Sequence, residues 1–200
     1  MTLKSESPTP QRRRGAELEN ALLDAAWEEL AEKGYGDFTI ESVAERARTS
    51  RAVIYRRWST KADLVRAAVT HAGDKEHMEA PDTGSLRDDM VELLRRANRS
   101  RSAIGITMAL QLSGYYAETG TGLSDLRTAF MAGRSSTADA ILDRGVERGE
   151  ADPAKLTPRV RGVAFDLYRQ ELLMTLKPVP DEVLASIVDE VFMPLVRPEE

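Results

Sequence analysis

The sequence predicts an all-α protein of about nine helices. Three observations carry this. Apolar residues recur at three- and four-residue intervals along nearly the whole chain. Ser or Thr residues followed three positions later by an acid, or directly by Pro, open several of these stretches. No segment alternates apolar and polar residues as a half-buried strand would. Two unequal helical units are expected: an N-terminal one over 16–72, whose fourth helix leads on to a larger one over 85–197. A flexible basic arm over 1–15 precedes them, and a linker over 73–84 separates them.

The arm combines Pro, Ser and Thr with Arg12, Arg13 and Arg14 and offers no apolar surface to order it. From Ala16 to Lys33 the stripe Leu18, Leu22, Ala25, Ala26, Leu30 makes an amphipathic helix that stops at Gly34. Tyr35 and Phe38 follow as core anchors. Thr39 caps a second helix with Ile40, Val43, Ala44 and Ala47 on one face. The turn Arg48-Thr49-Ser50 interrupts it, and Thr49 or Ser50 caps a third helix, RAVIYRRW. Both helices are too short to stand alone in water, so each must pack on its neighbours. Thr60 with Asp63 three residues on opens the fourth helix.

Residues 73–84 hold two Gly, one Pro and five charged side chains, the composition of a linker. Ser85 and Asp88 then begin a helix over 85–100, and the nearly uncharged stretch 102–116 predicts a second, buried one. A long helical pattern runs from Leu123 to Arg148 and is stopped by Gly149. Thr157 and Pro158 start a helix reaching about residue 177. Val183, Leu184, Ile187, Val188, Val191, Phe192 and Leu195 define the last helix, ended near Pro194.

Composition narrows the chemistry. No cysteine occurs, which removes disulfides, thiolate metal sites and cysteine nucleophiles. The N-terminus lacks the apolar core of a secretory signal and no stretch approaches a membrane span, so a soluble, cytoplasmic protein with no membrane association is expected. The two histidines, His71 and His77, are not spaced to share a helix face, and no metal or cofactor is expected. No triad or phosphate loop is present, so the chain does not read as an enzyme. The carboxylate pairs Glu28/Glu29 and Asp88/Asp89 read as solvated helix faces.

Charge is distributed unevenly. Residues 46–66 carry seven basic side chains against one acid, +6, whereas residues 71–200 carry −6. A short basic surface on an otherwise acidic chain suggests a polyanion partner. The unit over 39–58, two short helices around a three-residue turn, matches a helix-turn-helix whose second helix enters the DNA major groove. Base-edge contacts then fall near the start of that helix, at Ser50, Arg51, Ala52 and Val53. Arg51 is suited to a guanine, and Ala52 or Val53 to a thymine methyl.

The stretch ALLDAAWEELAEKGYGDFTIESVAERARTSRAVIYRRWSTKADLVRAAV resembles the DNA-binding domain of the TetR family of bacterial transcriptional regulators. The resemblance covers about residues 12–71. It rests on LLDAA in the first helix, the EKGY turn, T-I-x-x-V-A, Ser-x-x-x-I-Y-R and the restart S-T-K-x-x-L. It implies that Tyr55 and Lys61 contact phosphates, that Thr39 caps the second helix against the DNA backbone, and that Arg56 lies near the groove. Lys61 also makes sense by itself, because it follows a helix N-cap where free N–H groups favour a phosphate. The family usually has Gly-Val-Ser where this chain has Arg48, Thr49 and Ser50, which alters the turn and adds a cation near DNA. Trp58 stands where the family has Phe and is read as a core plug. Arg12, Arg13 and Arg14 either enter a minor groove, lie along phosphates, or form a solubilising tail.

The same resemblance implies a C-terminal domain that binds a small-molecule effector and forms a homodimer. Independently, the last two helices carry more apolar face than one core needs, so Phe165, Leu172, Val188, Val191, Phe192 and Leu195 are expected at a two-fold interface. Met108, Leu112, Tyr115, Tyr116, Phe130, Met131 and Tyr168 are the candidates to line an effector pocket, although such residues at helical spacing also make ordinary core. The expected protein is a dimeric repressor released from a pseudo-palindromic operator by its effector. The alternative keeps the DNA-binding unit and gives the C-terminal helices to assembly or a protein partner alone.

Overall fold

The computed structural model describes residues 15–75, 79–125 and 136–199, and these form helices and connecting turns with no strand among them. Helix α1 (Ala16–Asp37) is followed by the short α2 (Ile40–Arg46) and α3 (Arg51–Tyr55), and then by α4 (Lys61–Asp74). Helices α5 (Leu86–Gln111), α6 (Ser113–Thr119), α7 (Ser136–Glu147) and α8 (Pro158–Thr175) follow, with a single 3₁₀ turn at Pro153–Lys155 between the last two. The C-terminal helix starts as α9 (Asp181–Ser186), widens to a π-helical stretch at Ile187–Phe192, and closes as α10 (Met193–Val196).

Local chemistry explains most of these boundaries. The side chains of Thr39, Thr60, Ser85 and Thr157 accept hydrogen bonds from the backbone N–H groups of Ser42, Asp63, Asp88 and Val160, as their N-cap positions require. In α1 the regular backbone breaks at Gly34, which has φ 72°. A side chain would be strained in that conformation, which is what calls for glycine, and its Cβ would also stand 2.5 Å from the movable Gln111 side-chain oxygen.

Two sequence expectations about helix ends are corrected. The two helices expected over 85–100 and 102–116 are one continuous α5, with the break falling at Leu112–Ser113 rather than near residue 101. Gly105 does not interrupt it because the missing side chain admits Leu172 of α8, 3.1 Å from where a Cβ would stand. The last helix does not end near Pro194 but runs through it to Val196. The wider π turn just before supplies room for a residue that can neither donate to the preceding turn nor pack closely against it.

The carboxylate pairs are not uniformly solvated. Glu29 is buried, with an ion pair from Lys33 at 2.6 Å and another from Arg46 at 2.9 Å. Asp89 is fully buried, accepting from the N–H and hydroxyl of Thr83 and from Arg148 at 3.2 Å, with Arg144 at 3.6 Å. Their burial depends on partners remote in sequence, which makes charged interiors tolerable. Glu28 and Asp88 remain exposed.

Two apolar clusters result. The first gathers Leu22, Leu30, Phe38, Val43, Ile54, Leu64 and Val69 of the N-terminal helices, together with Ile104, Met108, Leu112 and Tyr115 from α5 and α6. The second holds Leu86, Met90 and Leu94 of α5 with Ile141, Tyr168, Leu184 and Phe192. Helix α5 therefore belongs to both. His71, near the end of α4, bonds Asp24 of α1 at 2.9 Å and helps lock that pair of helices.

Candidate nucleic-acid interface

Helices α2 and α3 present the site. The α2 entrance is a reciprocal cap: the Ser42 N–H donates to Thr39 Oγ1 at 3.1 Å, and the Thr39 N–H donates to Ser42 Oγ at 3.3 Å. At the other end Arg48 takes φ 53°, its N–H donating to the Glu45 carbonyl at 3.0 Å, while the Thr49 N–H reaches the Ala44 carbonyl at 2.9 Å. These two bonds make a Schellman closure, whose left-handed position usually falls to glycine. The turn is therefore not altered as expected: Arg48 keeps the backbone path a glycine would take, and bears the steric strain.

Ser50 occupies the N-cap of α3, but its hydroxyl makes no capping bond. Arg51, Ala52, Tyr55 and Arg56 are exposed, and their spacing puts them on one side of the short helix. Ile54 is fully buried on the other side, and Val53 and Trp58 pack half-buried against the first cluster. Trp58 is therefore a partial plug, and Val53 has less surface to offer than its three neighbours. Thr39 and Arg48 are exposed and Thr49 is half-buried. Arg12, Arg13 and Arg14 lie outside the described residues.

The cations of 46–66 divide by partner. Arg46 turns onto α1, bonding Glu28, Glu29 and Glu32, and leaves the basic surface. Arg51 pairs with Glu41 across the turn. Arg57 donates to the Val53 carbonyl at 3.3 Å and approaches Glu19 at 4.0 Å, and Arg66 lies 3.7 Å from Asp63. Among the described residues Arg48 and Arg56 have no ion pair. The net basic surface is smaller than the composition suggests, and is concentrated at the turn and the outer face of α3.

Lys61, first residue of α4, is half-buried with its ammonium 4.1 Å from the centre of the Tyr35 ring and 5.9 Å from that of Phe38. Burial lowers its pKa, against the opposing attraction of Glu118 and Asp37. Tyr35 in turn meets Tyr115 edge-on at 5.5 Å, and Tyr115 meets Tyr116 at 6.0 Å. The Tyr116 hydroxyl donates to the Met108 carbonyl at 2.9 Å, and burial pushes its pKa up to about 12. Sequence reasoning missed Tyr35 as the support of Lys61 and Glu41 as the partner of Arg51. Neither relation leaves a periodic signal.

The comparisons with known proteins agree with this geometry. Residues 22–68 match the model of bacterial regulatory proteins of the tetR family, and residues 80–191 match a tetracyclin repressor-like C-terminal domain. A DNA-binding transcriptional repressor TetR of Mycobacteroides abscessus is 32% identical over 185 residues, covering 92% of this chain and 97% of that protein. The chain belongs to the TetR family. An uncharacterised HTH-type transcriptional regulator of Mycobacterium tuberculosis is 30% identical over 181 residues, 88% of this chain and 86% of that one. A TetR family transcription regulator of known crystal structure matches with TM-score 0.63 at 26% identity, over 91% of this chain and all of that one. FadR of Bacillus subtilis, solved with stearoyl-CoA, shares the fold at TM-score 0.66 and 18% identity, over 86% of this chain and 98% of that one. The protein is a DNA-binding transcriptional regulator rather than an enzyme, and α2–α3 is its helix-turn-helix. Among the described residues, no helix is long and apolar enough to cross a membrane.

The other candidate residues are placed as follows. Met108, Leu112 and Tyr115 are buried and Tyr116 is half-buried, all four in or against the first cluster. Tyr168 is buried in the second, beside Phe165, apart from the other four. Phe130 and Met131 lie outside the described residues. Of the interface candidates, Leu172, Val188 and Phe192 are buried in the chain's own second cluster and have no surface to offer a partner. Phe165 and Val191 keep partial exposure and Leu195 is 42% exposed. Met174, part of the apolar face expected of this helix, and Leu176 just beyond its end, which the sequence did not single out, are exposed as well.

Proposed function

We propose that this TetR family protein is a cytoplasmic repressor that binds a pseudo-palindromic operator as a homodimer and leaves it when a small molecule occupies the C-terminal helices. The observation that carries the reading is the outer face of α3, where Arg51, Ala52, Tyr55 and Arg56 stand exposed behind the turn cation Arg48. Arg51 and Ala52 read base edges, Ser50 and Val53 flank them, and Tyr55, Arg56 and Lys61 meet phosphates. Thr39 and Thr49 approach the DNA backbone at the helix entrances, and the arm with Arg12, Arg13 and Arg14 follows it further.

The exposed apolar residues Met174, Leu176 and Leu195 support pairing of α8 and the C-terminal helix with their two-fold mates. Such a dimer sets its two α3 helices about one DNA turn apart. The effector is favoured by FadR, which carries a long acyl-CoA on the same fold. Release requires that the effector bind the DNA-incompetent form more tightly.

A second reading leaves the C-terminal helices to assembly or a protein partner. The close packing of Met108, Leu112 and Tyr115 against the N-terminal helices favours it. Selection of bound duplexes from random DNA tests the first reading, which requires an inverted repeat. Thermal-shift screening of acyl-CoA and metabolite libraries separates it from the second.

A further inference from the structure

Glu41 and Arg51 lie ten residues apart, at the entrances of the two short helices. Arg51 Nη1 donates to Glu41 Oε1, and the side chains remain 63% and 55% exposed respectively. A pair this open to water adds little to the stability of the fold. It also places a carboxylate beside a surface meant for phosphates, where a lone acid lowers affinity for every sequence. Glu45, one turn along the same face of α2, is exposed too, but among the described residues the guanidinium engages only Glu41.

A free arginine at the start of a recognition helix has two attractive targets, the phosphates and a guanine edge, and only the second carries sequence information. A carboxylate on one N–H of the guanidinium biases that choice. It removes most of the rotamers that reach the backbone, partly cancels the charge that phosphates attract, and leaves the remaining donors of the planar fork for O6 and N7 of guanine.

We infer that Glu41 is a specificity-determining positioning residue, which holds the Arg51 guanidinium in the orientation that reads a guanine and discourages its use as a phosphate clamp. This rests on the reading of Arg51 as a base contact. Glu41 reads no base itself, so its effect on specificity passes through Arg51. A purely structural role, an acid favouring the first turn of α2, would change stability and leave base preference alone.

The test uses the full-length protein and its selected operator. Wild type, Glu41→Gln, Arg51→Ala and the double variant are titrated against the operator, against operators substituted one base pair at a time, and against unrelated duplex. For Glu41→Gln, binding to unrelated DNA strengthens about threefold, because a repulsive charge is lost. Discrimination at one guanine of each half-site falls about tenfold. Arg51→Ala relaxes the same base pair, and the double variant discriminates no worse than Arg51→Ala alone. If Arg51→Ala relaxes a position that Glu41→Gln leaves untouched, the inference is overturned while base reading by Arg51 stands. If Glu41→Gln relaxes a different base pair, Glu41 makes its own contact and the inference is again overturned. If Arg51→Ala changes no preference, base reading fails and the inference fails with it. Equal thermal midpoints for Glu41→Gln and wild type exclude a folding origin.

Discussion

The Lys61 ammonium stands 4.1 Å above the Tyr35 ring, held at the first turn of α4 where free N–H groups also face outward. The ring restricts a flexible side chain without neutralising it, so the charge remains available to a phosphate. Replacing Lys61 with Ala is expected to weaken binding to operator and unrelated DNA by the same factor, and to reduce the slope of log affinity against log salt by about one. Fluorescence anisotropy at several salt concentrations measures both. A loss confined to the operator contradicts the phosphate role.

Arg48 occupies a left-handed position that costs a non-glycine residue roughly 1–2 kcal/mol. Arg48→Gly relieves this strain, partly offset by the greater freedom glycine gives the unfolded chain, roughly 0.5–1 kcal/mol. The expected outcome is a protein about 0.5–1 kcal/mol more stable that binds all DNA more weakly, since an unpaired cation is lost. Urea unfolding and anisotropy together give the answer, and unchanged or reduced stability contradicts the strain.

Acid should unfold the protein through its buried carboxylates. Burial, the largest influence on Glu29 and Asp89, raises their pKa values, but donors more than offset it: Lys33, Ser42 and Arg46 for Glu29, and Thr83 and Arg148 for Asp89, with the Arg144 charge. Both end below their ordinary values of 4.5 and 3.8. A group depressed in the fold stabilises it above the unfolded pKa and loses that contribution as pH falls through the folded one. Stability from these groups is therefore level at neutral pH and declines below about pH 4.5. Asp89→Asn removes one carboxylate from Arg144 and Arg148, which keep Asp82, and is expected to cost about 1.5–3 kcal/mol at neutral pH while flattening the acid decline. Urea titrations between about pH 3 and 7 show both effects.

Met174→Asp with Leu195→Asp places charge on the exposed apolar residues of α8 and α10 and leaves Leu172, Val188 and Phe192 in the core. The double variant is expected to run as a folded monomer in light scattering and to bind an inverted repeat at least tenfold more weakly than wild type. A dimer that persists moves the interface elsewhere.

Features set by neighbours in sequence were legible. The caps at Thr39, Thr60, Ser85 and Thr157 need only the next three residues, and the exposed face of α3 follows from buried Ile54 and the helical period. Features set by distant partners were not. Glu29 looks like Glu28 until Arg46, 17 residues away, is folded onto it. The apolar stripe containing Val188 and Phe192 marks a buried face without saying whether the chain's own core or a second copy covers it. The reason for the small residue at Gly105, Leu172, lies on α8 and leaves no signal near it in sequence.

Helix α5 spans about 39 Å at 1.5 Å per residue and is shared by the two apolar clusters, with Leu86 to Ala97 in one and Ile104 to Met108 in the other. The DNA-reading helices are consequently not a bead hung on a string. A fragment cut after α4 would uncover the flank of α1 at Gly34 and Tyr35, which Gln111, Gly114 and Tyr115 now meet. Because the shared element is an unbroken rod, anything that turns its far end also turns the floor on which α1 and α4 rest.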